Sequence, residues 1–249
     1  MHILASRKPL KEEIFETLHE RIISGQYQPG TWLRQEEVAS QLDVSMTPVR
    51  EALDLLVAVG LAERVPYRGV RVPKPSAEEM AEAYAIRLLL EQIGARAAAI
   101  KREQAQVEEM KRIISQAENL LTLSEMSTSR KLSRQFHKTI IHASGNSVLE
   151  RIYETVMNTF PDWLLYEAMF RHPERLEASL ANEHAEHVAM LEAIMIKDAG
   201  LAAQRAVEHL QDLEQQMVEF LNIPQDLLHE KVTLFGLTHF GNNFDNTKE

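Results

Sequence analysis

Three histidines and one short stretch rich in hydroxyls and arginine are the residues whose types and spacing could do chemistry. His137 precedes Ile140 and Ile141, His187 precedes Met190, Leu191 and Ile194, and His209 is flanked by Ala202, Ala206, Leu213 and Phe220. This helical spacing puts each imidazole on the apolar face of its own helix. Three inward imidazoles on three helices can converge, and neutral imidazoles in a largely apolar setting suit Zn²⁺ or a similar divalent cation. The structural alternative is that each histidine is a core residue paired with a carbonyl or carboxylate. His142 and His184 lie near the set in sequence and complicate the count.

The second set runs through VSMTPVREALDLLVAVGLAERV, residues 44–65. Ser45 and Thr47 open a helix that also carries Arg50, with Arg34 upstream and Arg68 downstream. An arginine binds a guanine bidentately or holds a phosphate, and a helix N-terminus offers N–H groups to phosphate oxygens. Taken singly these arginines read as ordinary solvated charges; taken in order they point to DNA.

The elements that must position these groups follow from periodicity and punctuation. Residues 9–25 read as an amphipathic helix with Ile14, Leu18 and Ile22 on its stripe and Gly25 as C-cap. Arg34–Leu42 is a short helix, and Asp43-Val44 a tight connection. A helix opening at Thr47-Pro48 buries Val49, Ala52, Leu53, Leu56 and Val57 and stops at Gly60. Two β-like stretches, 61–65 and 69–72, flank the turn at residues 66–69. The order is helix, helix, tight turn, helix, hairpin: a winged helix-turn-helix, whose geometry presents the N-terminus of the last helix to a major groove. The proline-bearing linker VPKPSAEE then leads into helices expected at 77–100, 103–123, 128–144, 147–170, 173–197 and 199–221, an antiparallel all-α bundle. Pro161 should kink the fourth of these, and Trp163, Tyr166 and Arg171 follow it as candidate cavity or core residues. The fold class is therefore mainly α, with residues 1–75 as the DNA-binding domain, 76–222 as the helical domain and 223–249 as a tail without an assignment.

Charge agrees with that division. Over 249 residues the net charge is −10, but residues 1–75 carry 10 basic and 10 acidic side chains, so all of the excess belongs to the remainder. A neutral head can bind DNA if its basic residues share a face. With no cysteine there is neither a disulfide nor a thiolate metal site. No apolar run is long enough for a membrane span or a signal peptide, so a cytoplasmic protein without membrane contact is expected.

GTWLRQEEVASQLDVSMTPVREALDLLVAVGLAERVPYRGVRV resembles the DNA-binding domain of the GntR family of bacterial transcriptional regulators, over about residues 10–73. The resemblance implies operator contacts from Arg34, Ser45, Met46, Thr47, Arg50, Arg68 and Gly69. Many members carry arginine where this chain has Met46, and a methionine cannot make a bidentate guanine contact. AEAYAIRLLLEQIGARAAA, RQFHKTIIHASGN and EHVAMLEAIMIKDAGLAAQRAVEHL are similar to the FCD-type effector-binding domain, over about residues 77–221. That similarity implies a divalent metal, zinc foremost, held by His137, His187, His209 and a carboxylate, with a small organic acid bound beside it. The carboxylate usually stands four residues before the first histidine; Ser133 occupies that position here, leaving the fourth place to water or the effector. Arg87, one turn before Glu91, is implied to face the ligand cavity and hold an effector carboxylate as a fork. Ser133 and Arg87 are thus the effector-binding candidates.

Two functions are weighed. The first is a ligand-responsive repressor, a homodimer on a palindromic operator, because a two-fold protein reads a two-fold site. The second is a metal-dependent hydrolase with an appended nucleic-acid module, since three histidines with an open position also describe a catalytic zinc. No general base stands at a motif position, which favours the regulator and a chain that is not an enzyme.

Overall fold

The computed structural model describes residues 9–23, 26–120, 125–159, 165, 168–169 and 172–236. The chain divides into two compact units, with the main break between Pro75 and Ser76.

The first unit contains α1 (Leu10–Ile23), α2 (Gln35–Leu42), α3 (Met46–Ala58), β1 (Glu63–Val65) and β2 (Gly69–Arg71). Ile14, Leu18 and Ile22 of α1 are buried against α3, which contributes Val49, Ala52, Leu53 and Leu56 to the same core. Asp43 closes α2 in the left-handed region (φ 52°), and the Val44 amide returns to the Ala39 carbonyl at 3.1 Å. Aspartate tolerates that conformation, which makes the turn between α2 and α3 short enough to fix their crossing. α3 ends in a Schellman motif: Leu61 N donates to Leu56 O at 3.0 Å and Gly60 N to Val57 O at 3.1 Å, with Gly60 at φ 78°. This explains why β1 begins at Glu63 rather than Leu61. The amides of Leu61 and Ala62 are bound to the end of the helix and are lost to the ladder. β1 and β2 pair antiparallel, Val65 opposite Gly69, and residues 30–33 run alongside β2 through Leu33 N→Val70 O (2.8 Å) and Val72 N→Thr31 O (2.9 Å).

The second unit contains α4 (Ala77–Lys101), α5 (Gln104–Ala117), α6 (Met126–Ala143), α7 (Ser147–Thr159), α8 (Pro173–Met195), α9 (Ala199–Leu221) and α10 (Gln225–Leu234). α4 starts on a capping box: Ser76 Oγ accepts from Glu79 N at 3.1 Å, and Glu79 Oε2 accepts from Ser76 N at 2.7 Å. It packs against α6, α7, α8, α9 and α10, so it is covered on most sides. Its small residues permit this. Ala95, Ala98 and Ala99 are fully buried, and a Cβ on Gly94 would sit 2.3 Å from Ile141 Cδ1 of α6. Around them α5 adds Met110 and Ile113, α6 adds Phe136 and Ile140, and α8 adds Met190 and Ile194.

Several expected boundaries move. α5 stops at Ala117 rather than 123, and the helix expected to run from 147 to 170 is described as α7 to Thr159. Gly25, Pro161, Trp163, Tyr166 and Arg171 lie outside the described residues. Val57 is half-buried. The tail, unassigned from its sequence, forms α10 at Gln225–Leu234; Leu228 is buried, and Lys231 Nζ donates to Glu78 Oε1 of α4 at 2.8 Å. One buried leucine and one aliphatic lysine stem give too weak a period to be seen in sequence. Among the described residues no helix is long and apolar enough to cross a membrane.

Candidate metal centre and nucleic-acid interface

The three histidines do converge. His137 from α6, His187 from α8 and His209 from α9 are buried to 4%, 5% and 7% exposure, and their ring centroids stand 4.8–5.0 Å apart. One ring nitrogen of each lies within 4.8 Å of the other two. His142, by contrast, is exposed on α6 and faces Glu150, and His184 is half-buried outside the cluster.

The two ring nitrogens of His137 are occupied differently. Its Nδ1 lies 3.0 Å from Glu91 Oε2, at ion-pair distance although not aligned as a directed hydrogen bond. Its Nε2 lies 3.1 Å from His187 Nε2. His209 likewise turns Nδ1 to Glu186 Oε2 at 2.7 Å, which leaves its Nε2 for the cluster. Acids stand behind two of the three rings and orient them; where the acid is ionised, as at Glu91, it favours the Nδ1–H tautomer and an Nε2 lone pair facing forward, the arrangement in which a histidine ligates metal. The 3.1 Å between the two Nε2 atoms suits either an N–H···N hydrogen bond, with His187 in its Nε2–H tautomer, or a metal ion held by both rings. At Zn–N distances of roughly 2.0–2.1 Å, tetrahedral ligand nitrogens are about 3.3 Å apart, so the His137–His187 spacing already fits a metal.

Electrostatics point the same way. Burial, reinforced by His137 and His209, holds the pKa of His187 well below the usual imidazole value, and burial lowers that of His209 despite the opposing pull of Glu91. Both rings are therefore neutral and able to donate lone pairs. Burial pushes Glu91 upward, but His137 and Arg87 beside it outweigh that and keep it a carboxylate. Burial, then the adjacent Asp212, pushes Glu186 up to about 9. Four acids (Glu91, Glu183, Glu186, Asp212) thus stand around the imidazoles, with Arg87 paired to the first of them.

Arg87 is buried and its guanidinium grips Glu91: Nε and a terminal nitrogen each stand 3.0 Å from Oε1, and Tyr153 donates to the same oxygen at 3.2 Å. The effector candidate Arg87 is thus two bonds from His137, through Glu91. Ser133, the other, is not an open position: its Oγ donates to Glu183 Oε1 at 2.6 Å, and that same oxygen lies 3.9 Å from His187 Nε2. Glu91, Glu183 and Glu186 were missed as members of the site. Glu183 alone carried a readable signal, since it precedes His187 by one helical turn.

In the first unit Ser45, Met46, Thr47 and Arg50 are all exposed on the leading turns of α3. Ser45 sits at the N-cap in extended conformation, yet its side chain makes no capping bond. Arg34 caps α2 from outside, exposed, with Glu37 at 3.6 Å. Arg68 and Gly69 lie at the hairpin turn, closed by Arg68 N→Val65 O at 3.1 Å, and Gly69 takes φ 114°. Tyr67, which sequence reasoning passed over, stands fully exposed at the tip in the left-handed region (φ 63°). Arg64 pairs with Asp54 and fastens the wing to α3, while Arg71 pairs with Glu63 at 2.6 Å and lies over the Trp32 ring.

Residues 10–72 match the model of the bacterial regulatory proteins of the gntR family, and residues 79–212 match the FCD domain. The chain belongs to the GntR family. The two matched ranges contain the DNA-contact candidates and the three histidines with their acids. It is 28% identical over 229 residues to the Uxu operon transcriptional regulator of Escherichia coli, covering 85% of this chain and 88% of that protein. It is also 28% identical over 212 residues to the gluconate operon transcriptional repressor of Bacillus subtilis, covering 85% and 86%. In fold it is similar to E. coli McbR/YncC, with a TM-score of 0.60 at 22% identity over 90% of this chain and 99% of that one. A GntR regulator from Rhodococcus has a TM-score of 0.61 at 22% identity, over 84% and 97%.

Proposed function

We propose that this GntR-family regulator is a cytoplasmic homodimeric repressor that binds a palindromic operator and responds to a small organic acid bound beside a divalent metal in its FCD domain. The observation that carries the metal part is the convergence of three buried imidazoles, with one ring nitrogen of each within 4.8 Å of the other two and acids behind His137 and His209. His137, His187 and His209 would hold the ion, zinc being favoured by an all-nitrogen donor set. Such an ion polarises and anchors a bound carboxylate. Operator contacts are assigned to Arg34, Ser45, Met46, Thr47, Arg50, Arg68 and Gly69, all exposed in the head.

The route from effector to DNA is α4. It follows the wing after the short segment 72–76 and carries both Arg87 and Glu91. An effector carboxylate that competes with Glu91 for Arg87 would loosen the hold on His137 and bias the position of α4. Preferential binding to one arrangement of the dimer then supplies the coupling. An exposed apolar strip on the packed pair α4 and α7, formed by Ile93, Ile100, Val148 and Ile152, supports a dimer contact in the acidic unit. The relatives named above are transcriptional regulators or repressors, which favours this reading over a hydrolase.

The test is a gel shift with the DNA upstream of the chain's own gene, run with metal-replete and chelator-treated protein against a panel of sugar acids and hydroxy acids. Release by one acid from the metal-replete protein alone is expected. Release that is indifferent to metal, or no shift at all, sinks the reading.

A further inference from the structure

The family's metal-binding carboxylate is missing at Ser133, but the structure shows where a replacement comes from. Ser133 and His137 are one turn apart on α6, and Glu183 and His187 are one turn apart on α8. The two helices present these pairs to each other: His137 Nε2 faces His187 Nε2 at 3.1 Å, and Ser133 Oγ donates to Glu183 Oε1 at 2.6 Å. Glu183 Oε1 is also 3.9 Å from His187 Nε2, on the nitrogen that faces the cluster. We infer that Glu183 is the fourth protein ligand of the metal site, supplied from α8 instead of α6, and that Ser133 is the positioning residue that holds its carboxylate.

The three other acids are engaged elsewhere. Glu91 sits behind His137 at Nδ1, Glu186 sits behind His209 at Nδ1, and Asp212 is bound to Glu186 and to the Asn182 amide. Glu183 alone shares the ring edge that carries the convergent nitrogens. Its oxygen stands about 0.6 Å beyond the roughly 3.3 Å separation of ligand atoms around a tetrahedral zinc, a gap that one side-chain torsion closes. It is 18% exposed, so its carboxylate is partly hydrated before the ion arrives and needs no buried counter-charge. The serine gives up ligation and gains a hydrogen bond that selects the inward rotamer of Glu183. The site then carries three neutral imidazoles and one carboxylate, the same donor set as the family's, assembled across a different helix pair.

The inference rests on the metal reading above, and the experiment separates the two. Full-length protein, stripped with chelator, is titrated with Zn²⁺ against a chromophoric competitor, and with Co²⁺ while its visible absorption is recorded. Glu183→Gln is nearly isosteric and should fold as the parent does. It should weaken Zn²⁺ binding by at least roughly tenfold and alter the Co²⁺ spectrum, because a coordinating oxygen has changed. Ser133→Asp in the Glu183→Gln background restores a carboxylate on α6 and should recover most of that loss; added to the parent, it should gain far less, since it then crowds Glu183. The two effects are non-additive. Three results overturn the assignment: Glu183→Gln within twofold of the parent, a loss with an unchanged Co²⁺ spectrum, or a loss that Ser133→Asp leaves uncorrected. A parent that takes up neither ion overturns the metal reading and the ligand assignment together.

Discussion

Replacing Glu91 with leucine should cost the FCD unit about 4 kcal/mol, and the structure shows where that figure arises. Glu91 is 3% exposed and holds three groups at once: the Arg87 guanidinium at 3.0 Å, the Tyr153 hydroxyl at 3.2 Å and His137 Nδ1 at 3.0 Å. Leucine fills much of the same volume, so the loss is electrostatic rather than a cavity. Taking the carboxylate from a buried arginine costs roughly 3–5 kcal/mol, and each buried donor stripped of its acceptor about 1–3 kcal/mol more, less whatever relaxation and entering water return. Arg87→Met together with Glu91→Leu removes the stranded charge as well, so the double variant should be more stable than the single one, at a loss of roughly 2 kcal/mol or less. The assay is urea denaturation followed by far-UV circular dichroism, in chelator so that metal binding does not add to native stability. A lower midpoint at unchanged m-value reports the loss. A single variant within about 1 kcal/mol of the parent, or a double variant no more stable than the single, refutes the reasoning.

Other perturbations reach the rest of the molecule. Arg50→Ala should weaken operator binding by about 1–3 kcal/mol if the side chain meets a base, and unchanged affinity removes it from the interface. Met46→Arg, at a position 52% exposed on the first turn of α3, should change the preferred operator; selection from random DNA that returns the parental consensus shows that Met46 does not read sequence. Ile93→Glu with Ile152→Glu should convert the protein to a monomer by sedimentation at micromolar concentration, and a persistent dimer moves the contact away from the α4–α7 strip. Gly94→Val should lower stability by roughly 1–3 kcal/mol, because even a Cβ meets Ile141 Cδ1 at 2.3 Å; a thermal midpoint equal to the parent's shows that α6 gives way freely.

The winged helix-turn-helix was legible from the chain because its cues are local: Asp43 for the turn, Pro48 in the first turn of α3, Gly60 at the helix end and Gly69 at the hairpin. Even there, strand β1 came out shorter than its pattern, since the Schellman motif consumes two amides that alternation alone cannot account for. α10 escaped because a single leucine and a lysine stem hold it. The inward histidines were readable from helical phase, as each imidazole shares a face with aliphatic side chains of its own helix. Phase says nothing about who stands opposite. That His137 Nε2 would meet His187 Nε2, that Glu91 would reach His137 while bound to Arg87, and that Ser133 would find Glu183 fifty residues away all depend on how α4, α6, α8 and α9 cross. Periodicity is a property of one helix and can be read along the chain; a donor set is a property of the space between helices, and only packing decides it.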